Sequence, residues 1–304
     1  MGFKGARLAI KIDVDTERGT RVGVPALVAL FREHGVRATF LFSLGPDNTG
    51  RALRRIFRPG FFKKVSRTNV VGTYGIRTLL NGVLWPGPHI GKRHGEIMRA
   101  VRDAGHEVGI HCYDHIRWQD GLATMSPDQV FAEFGKACGE FERIFGVPAK
   151  TAGAAGWQAN ALSLAAYEVA GLDYASDTRG THPFFPRANG TVFKTVQIPT
   201  TLPTLDELLG RPEYPESKLT DHYLALLRPD RPNVLTAHAE LEGMAKFDWF
   251  QTFLMALKKR GVEIVSMAII AAELQQNLGN IPVCDLTDAE VDGRSGTLAV
   301  QRCF

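Results

Sequence analysis

Residues 8–15 read Leu-Ala-Ile-Lys-Ile-Asp-Val-Asp, and the rest of the chain is interpreted outward from this stretch. Its first five positions form an apolar run that is typical of a buried β-strand. The carboxylates of Asp13 and Asp15 therefore emerge where a buried strand ends. One of them is available to bind a metal ion and the other to act as a base.

A second stretch, residues 106–115, repeats the arrangement of a strand followed by polar groups. The strand-like run 106–110 leads directly into His111 and, four residues later, His115. Two imidazoles at this spacing converge on one metal if the chain makes a helical turn, and a carboxylate completes a set of three ligands. Such a set leaves positions open for water and substrate, which indicates a hydrolytic metal and favours a metal-dependent amide hydrolase. A turn-capping role for the acids and a pair of surface histidines are the alternatives.

Strand-like and helical patterns alternate along most of the chain. Eight short strands separated by helices predict a parallel sheet, and at 304 residues a distorted (β/α) barrel of about seven to eight strands. The predicted strands lie near residues 6–12, 37–42, 106–110, 149–153, 173–177, 195–201, 233–239 and 262–266. The polar residues Asp13, Asp15, His111, Asp177 and His238 all fall at the C-terminal ends of these strands, where the catalytic groups of barrels collect.

His238 ends the predicted strand 233–239 and is interpreted as a general acid. Amide cleavage needs a proton on the leaving nitrogen, and histidine titrates near neutral pH. Asp177 is expected to keep this histidine charged. A packed, hydrogen-bonded histidine without a catalytic role is the alternative.

The positive charge of the chain is concentrated in one insert. The chain has 36 basic and 32 acidic residues, and ten of the basic ones but no acidic one lie in residues 48–95. Within the insert, residues 51–58 place apolar side chains on one helical face and four arginines on the other. A basic amphipathic segment with nearby aromatic residues predicts binding to an anionic membrane surface. A helix that covers the barrel is the alternative, and nucleic acid is not expected because no nucleic-acid-binding fold accompanies the charge.

The cysteines and the hydropathy indicate the compartment. Cys112, Cys138, Cys284 and Cys303 show no paired spacing, which predicts free thiols in a reducing environment. No secretory signal is evident, and no apolar run approaches the roughly 20 residues of a membrane-spanning helix. A cytoplasmic protein is predicted.

Several strings, taken in order, resemble the polysaccharide deacetylase superfamily. They are Asp13-Val14-Asp15, His111 with His115, Ala154-Ala155-Gly156-Trp157, Ser176-Asp177-Thr178-Arg179-Gly180 and the strand that ends in His238. More narrowly, residues 12–16, 45–48, 154–157, 197–204 and 238–243 resemble the deformylases that act on 4-deoxy-4-formamido-L-arabinose-phosphoundecaprenol. The resemblance runs from about residue 6 to about residue 275.

The resemblance implies a role for each matching residue. Asp15, His111 and His115 would bind one divalent metal ion, with zinc, cobalt, manganese and iron not distinguished by the ligand set. Asp13 would be the base, His238 the general acid and the backbone N–H of Ala155 the oxyanion donor. The superfamily also has an arginine in the turn around Ala155 that tethers the base. None occurs in residues 149–157, and Arg179 is the expected substitute.

The resemblance also implies the biological setting. The expected reaction is deformylation of the undecaprenyl-phosphate-linked formamido sugar at the cytoplasmic face of the bacterial inner membrane, by a peripheral protein. Its product would serve lipid A modification and resistance to polymyxin and other cationic peptides. The predicted organisation is a catalytic domain over residues 1–275, which includes the insert 48–95, and a C-terminal tail over 276–304. The alternatives are an N-deacetylase of peptidoglycan- or chitin-type polysaccharides and a non-catalytic protein that binds metal or lipid phosphate.

Overall fold

A computed structural model describes residues 5–52 and 76–303, which contain twelve β-strands. In chain order they are β1 Arg7–Val14, β2 Thr39–Ser43, β3 Glu107–Cys112, β4 Thr151–Ala152, β5 Tyr174–Ala175, β6 Phe185–Ala188, β7 Thr191–Val192, β8 Val196–Gln197, β9 Asn233–His238, β10 Glu263–Val265, β11 Val283–Glu290 and β12 Thr297–Arg302.

Eight of these strands form one curled sheet in which every pairing is parallel. β1 pairs with β2, β9 and β10, and the sheet continues from β2 through β3, β4 and β5 to β8. Just after β8, the N–H groups of Thr201 and Leu202 both donate to the carbonyl of Val234 in β9, at 3.1 Å. These bonds bring the two ends of the sheet together. The predicted distorted (β/α) barrel is confirmed.

Ten α-helices lie in the described part of the chain and cover the sheet. They are α1 Val24–His34, α2 Ile76–Leu80, α3 Ile90–Asp103, α4 His115–Gly121, α5 Pro127–Phe145, α6 Ala161–Ala170, α7 Leu205–Leu208, α8 Leu219–Leu226, α9 Phe247–Lys259 and α10 Met267–Gln275. The helix boundaries follow local sequence. A capping box between Ser126 and Gln129 precedes α5. Gly146 follows the last residue of the helix and has a left-handed backbone conformation, which ends it. None of the described helices is long and apolar enough to cross a bilayer.

The alternation of side chains along β1 positions the functional residues. Leu8, Ile10 and Ile12 are fully buried in the main hydrophobic core, together with residues of the surrounding helices. Lys11 and Asp13 belong to the other face of the strand, because successive side chains of a strand point to opposite faces. That face is also buried, so charged groups of β1 lie inside the barrel.

A second, four-stranded sheet contains the C-terminal segment. Its order is β12-β11-β6-β7, with β11 and β12 forming an antiparallel hairpin. The hairpin is fastened to the barrel because Arg179 N–H donates to Ala299 O (3.0 Å) and Gln301 N–H donates to Arg179 O (2.8 Å). Residues 276–304 thus contribute ordered strands, while the domain boundary at 275 stays a prediction.

The prediction of four free thiols is wrong for two of them. Cys284 and Cys303 form a disulfide, whereas Cys112 and Cys138 are free. The two bonded cysteines are 19 positions apart in sequence, but the hairpin brings their Cα atoms to 4.6 Å. Sequence spacing did not reveal the pair because the hairpin itself was not recognised.

The basic insert is only partly described. Residues 53–75, which include most of the predicted amphipathic helix and its arginines, lie outside the described ranges. At the base of the insert, Asp47 accepts hydrogen bonds from Glu17 N–H (3.0 Å) and Asn81 Nδ2 (3.2 Å). Asn48 Nδ2 donates to Asp114 Oδ2 at 2.6 Å. The insert is therefore anchored next to the loops that follow β1 and β3.

Candidate metal centre and active site

The Asp13–Asp15 motif and the His111–His115 motif meet at one end of the sheet. Asp13 is the penultimate residue of β1 and Asp15 follows the strand, while His111 is the penultimate residue of β3, which lies on the other side of β2. His115 is the first residue of α4, which begins there because Asp114 caps it by accepting the N–H of Arg117 at 3.0 Å. The cap turns the chain immediately after the strand, so His115 folds back toward His111.

Three donor atoms converge at this point. Asp15 Oδ1 lies 3.2 Å from His111 Nε2 and 3.5 Å from His115 Nε2, and the three donors all lie within 4.8 Å of one another. Asp15 Oδ1 is buried and has no hydrogen-bond partner among the described residues. The Nδ1 of His111 lies 2.6 Å from Gly153 O and donates its proton to that carbonyl, so Nε2 is the ring nitrogen that would bind a cation in place of a proton. One carboxylate and two imidazole nitrogens fit a divalent cation such as zinc, cobalt, manganese or iron.

The charges of the pocket depend on one another. Burial alone would raise the pKa of Asp15, but His115, His111 and His238 hold it well below its usual range. Burial likewise opposes protonation of His111, yet Asp13 and Asp15 raise its pKa above 6.5. An ionised Asp15 is the form that binds a cation.

Asp13 lies beside the three donors. Its Oδ2 is 4.0 Å from His111 Nδ1, and its Oδ1 is 3.7 Å from Lys11 Nζ. The side chain is almost completely buried, and Oδ1 has no hydrogen-bond partner in the described part of the chain. A carboxylate in this position is available to take a proton from a water molecule next to the donor atoms.

His238 is placed next to Asp13 by the sheet. In the pairing of β1 with β9, Asp13 is the register partner of His238. The backbone N–H of His238 donates to Glu242 Oε2 at 2.7 Å. Burial lowers the pKa of His238, but Asp15, Asp206, Glu242 and Asp13 outweigh it and raise the pKa above 6.5. The imidazole is thus kept in the form that can donate a proton.

Two residues singled out from the sequence have other partners. Asp177 accepts hydrogen bonds from Ala154 N–H (2.6 Å), Tyr167 Oη (3.3 Å) and Gln197 Nε2 (2.8 Å). Arg179 donates to Glu207 Oε1 at 2.5 Å and to Leu202 O at 3.1 Å. Within the described ranges, no hydrogen bond or ion pair joins Asp177 to His238, or Arg179 to Asp13. The structure does not bring these two expected pairs together.

The turn that contains Ala155 is held in an unusual backbone conformation. Gly156 and Trp157 both have positive φ angles, 63° and 53°. The φ of Gly156 favours glycine at this position, and a Cβ atom there would also have to displace the side chain of Gln119. A tryptophan in the left-handed region is rare and costs conformational energy, which is typical of functional loops. The Ala154 N–H is bonded to Asp177, whereas the Ala155 N–H finds no acceptor among the described residues.

Trp157 is surrounded by cations. The guanidinium carbon of Arg294 lies 4.2 Å from the ring centroid and that of Arg179 lies 5.6 Å away. Both arginines pair with the buried Glu207, which accepts from Arg294 Nε at 2.8 Å. We call Trp157, Arg179, Glu207 and Arg294 the Trp157 cluster. Through Arg294, the C-terminal hairpin reaches the turn that carries Ala155.

Three acids around His238 were missed at the sequence level. Glu240 Oε1 accepts from the N–H groups of Asp15 (3.2 Å) and Thr16 (2.8 Å), and burial followed by repulsion from Asp15 raises the pKa of Glu240 to about 8. Burial raises the pKa of Glu242 to about 7. Asp206, on α7, contributes to the raised pKa of His238. Glu240 and Glu242 lie in residues 238–243, which resemble the family, but the sequence of this segment does not show which backbone groups the two side chains bind.

Comparison with known proteins agrees with this geometry. Residues 9–175 match the family model described as polysaccharide deacetylase. The chain is 37% identical over 295 residues to the probable 4-deoxy-4-formamido-L-arabinose-phosphoundecaprenol deformylase ArnD of Shewanella sediminis (strain HAW-EB3), covering 97% of this chain and 94% of the relative. The protein of the same name from Wigglesworthia glossinidia brevipalpis is 31% identical over 287 residues, covering 93% and 98%.

The fold has solved counterparts. The crystal structure of a probable polysaccharide deacetylase from Pseudomonas aeruginosa PAO1 superposes with a TM-score of 0.59, at 17% identity, over 90% of this chain and 92% of that one.

Proposed function

Because the chain belongs to the polysaccharide deacetylase family and is a hydrolase that cleaves amide bonds, we propose that it removes the formyl group of 4-deoxy-4-formamido-L-arabinose carried on undecaprenyl phosphate. The products are formate and the 4-amino sugar, which stays attached to its lipid. The observation that carries the proposal is the convergence of Asp15, His111 and His115 beside Asp13, in a chain similar over 97% of its length to a protein named for this reaction.

Asp15, His111 and His115 are the proposed ligands of one divalent cation. The unpartnered Oδ1 of Asp15 and the oriented Nε2 of His111 support this assignment. When bound, such a cation would lower the pKa of a coordinated water toward neutrality and polarise a carbonyl oxygen.

The residues around the cation have complementary proposed roles. Asp13 accepts a proton from the attacking water, and the Ala155 N–H stabilises negative charge that develops on the formyl oxygen. His238 donates a proton to the sugar nitrogen as the C–N bond breaks, which makes the amine a good leaving group. The charges of Asp15 and Asp206, followed by that of Glu242, raise the pKa of His238 and favour its protonated form for this step, and Asp177 has no part in it. Asp177 instead fixes the turn that presents Ala155.

The lipid-linked substrate would place the protein at the cytoplasmic face of the bacterial inner membrane as a peripheral protein. The insert supports this proposal through its ten basic residues, and its described part exposes Val83, Leu84 and Trp85 in one turn. Apolar residues and an aromatic ring beside basic residues are suited to the interface of an anionic membrane. The cationic amino sugar would be used in lipid A modification and would reduce attraction of polymyxin and other cationic peptides.

A formate-release assay tests the proposal. Purified protein is stripped of metal with a chelator, restored with zinc, cobalt, manganese or iron(II), and incubated with the formamido-arabinose lipid. We expect no formate from the stripped protein and recovery with one cation per chain. Hydrolysis of soluble N-acetylglucosamine oligomers without formate release from the lipid would favour a polysaccharide deacetylase. Binding of metal without hydrolysis of either substrate would indicate a non-catalytic protein.

A further inference from the structure

A lysine inside the barrel has no role in the mechanism described so far. Lys11 lies on β1, two residues before Asp13, so the two side chains belong to the same buried face of the strand. Only 1% of Lys11 is exposed. An ammonium group so deeply buried is costly unless a negative charge and hydrogen-bond acceptors surround it.

The ammonium group of Lys11 lies among residues of the proposed active site. Its Nζ donates to Ser176 O at 3.0 Å, and it pairs with Asp13 Oδ1 at 3.7 Å. It also lies 5.6 Å from the ring centroid of Trp157. Burial lowers the pKa of Lys11, and the nearby carboxylates of Asp13 and Asp177 act against that change. The charge of Asp13 therefore compensates the charge of Lys11.

Lys11 also reaches the turn that orients a metal ligand. A Cβ atom on Gly153 would lie 3.3 Å from Lys11 Nζ, so the ammonium group lies close against the backbone there. The carbonyl of the same Gly153 accepts the Nδ1 proton of His111. Arg179, which the sequence analysis expected to hold Asp13, is engaged by Glu207. Of the lysine and arginine side chains in the described part of the chain, Lys11 is the one that pairs with Asp13.

We propose that Lys11 is the positioning residue of the catalytic base: its ammonium group, fixed by Ser176 O, holds the carboxylate of Asp13 beside the metal ligands. This inference rests on the proposed role of Asp13. A positive charge on one side of the carboxylate leaves its other oxygen facing His111. A neutral side chain of similar length would fill the same space but release the carboxylate.

Two variants of Lys11 test the proposal, with Lys150 as a matched control. Lys11→Met removes the charge, and Lys11→Arg keeps it. Lys150→Met removes a lysine that pairs with Asp173 at 3.6 Å on the surface. We expect kcat of Lys11→Met to fall about 10- to 100-fold, which is typical for loss of an orienting group. KM and metal content should be unchanged, Lys11→Arg should recover much of kcat, and Lys150→Met should match the wild type. An unchanged kcat in Lys11→Met, or an equal loss in Lys11→Met and Lys11→Arg, would overturn the proposal.

Crystal structures of Lys11→Met and Lys11→Arg provide a readout that does not depend on the substrate. The Asp13 carboxylate should turn away from His111 in the methionine variant and keep its position in the arginine variant. An unmoved Asp13 in Lys11→Met would refute the positioning role. If the wild type hydrolyses only N-acetyl sugars, the proposed substrate is wrong, and the same kinetic comparison is made on those sugars.

Discussion

The metal pocket and the Trp157 cluster lie on the same face of the barrel but satisfy their charges differently. In the pocket, Asp13 Oδ1 and Asp15 Oδ1 are both buried and lack a hydrogen-bond partner in the described ranges. In the Trp157 cluster, Glu207 Oε1 accepts from both Arg179 and Arg294, and Trp157 Nε1 donates to Thr200 Oγ1 at 3.2 Å. Each charged group of the cluster is paired within the protein.

This difference distinguishes a pocket that is suited to bind a cation from a network that stabilises the fold. A buried oxygen without a hydrogen bond costs about 1–3 kcal/mol, and the two pocket oxygens are held only through the charges of Lys11, His111 and His115, which a bound cation would supplement. A satisfied network instead fixes its members in place. Substitutions in the pocket should therefore remove metal binding and activity, whereas substitutions in the cluster should lower stability and leave metal binding in place.

The largest effect is expected for the carboxylate ligand of the pocket. Asp15→Ala should abolish stoichiometric metal binding and lower formate release by about a thousandfold or more, because the cation supplies several kcal/mol of transition-state stabilisation. Added metal should raise the melting temperature of the wild type but not that of Asp15→Ala, because only a protein that binds the cation is stabilised by it. Metal analysis and calorimetry measure both effects, with the exposed Asp173→Ala as control. Full metal occupancy in Asp15→Ala would exclude Asp15 as a ligand.

Asp13→Asn should separate metal binding from catalysis. The amide keeps the shape of the side chain but cannot accept the proton from water, so formate release should fall about 10²- to 10⁴-fold. Metal content should stay at one ion per chain. Retention of more than a tenth of wild-type kcat would show that another group is the base.

The Trp157 cluster should respond in the opposite way. Glu207→Ala leaves Arg179 and Arg294 without their shared carboxylate, which for a buried ion pair costs about 3–5 kcal/mol of unfolding free energy. Denaturant unfolding should show this loss, while the folded fraction still binds one metal ion. A variant with wild-type stability but no metal would reverse the contrast between the two regions.

The smallest effect is a pH dependence of stability that comes from Asp177. This residue accepts a hydrogen bond from Ala154, in the turn that leads to Trp157. Burial raises the pKa of Asp177 from 3.8 to about 6, against hydrogen bonds from Gln197 and Ala154 and the charge of Lys11. Because the folded pKa lies above the unfolded one, this contribution to stability is fully present below about pH 4 and is lost as the pH rises through 6. The loss is roughly 3 kcal/mol at most.

Asp177→Asn cannot ionise and should lack that component. The difference in unfolding free energy between pH 4 and pH 7 should be smaller in the variant than in the wild type. Equal pH dependence in the two proteins would show that Asp177 is not protonated in the folded state at pH 4–6.

The contrast between the regions also explains what could be predicted from sequence. The ligands of the pocket lie at strand ends and at a fixed spacing of four residues, so local patterns were enough to group them. The residues of the Trp157 cluster come from two loops, helix α7 and the turn of the C-terminal hairpin, which are far apart in sequence, so only the folded chain brings them together. Asp177 and Arg179 were recognised as important, but their partners Ala154 and Glu207 were not.

Two further features were hidden for the same physical reason. In the sequence, Lys11 only interrupts an apolar run. Its burial beside Asp13 in the folded chain is what indicates a function. The hairpin of β11 and β12 follows the segment that resembles the family, so neither its disulfide nor the reach of Arg294 into the active site could be inferred.

The most direct test of the account is anomalous X-ray scattering from crystals of the protein loaded with zinc or cobalt. One strong peak should lie about 2.0–2.2 Å from a carboxylate oxygen of Asp15 and from the Nε2 atoms of His111 and His115, with Asp13 close by but not bound to it. A metal-loaded crystal with no peak among these three residues, or with Asp13 in place of Asp15 as the ligand, would contradict it.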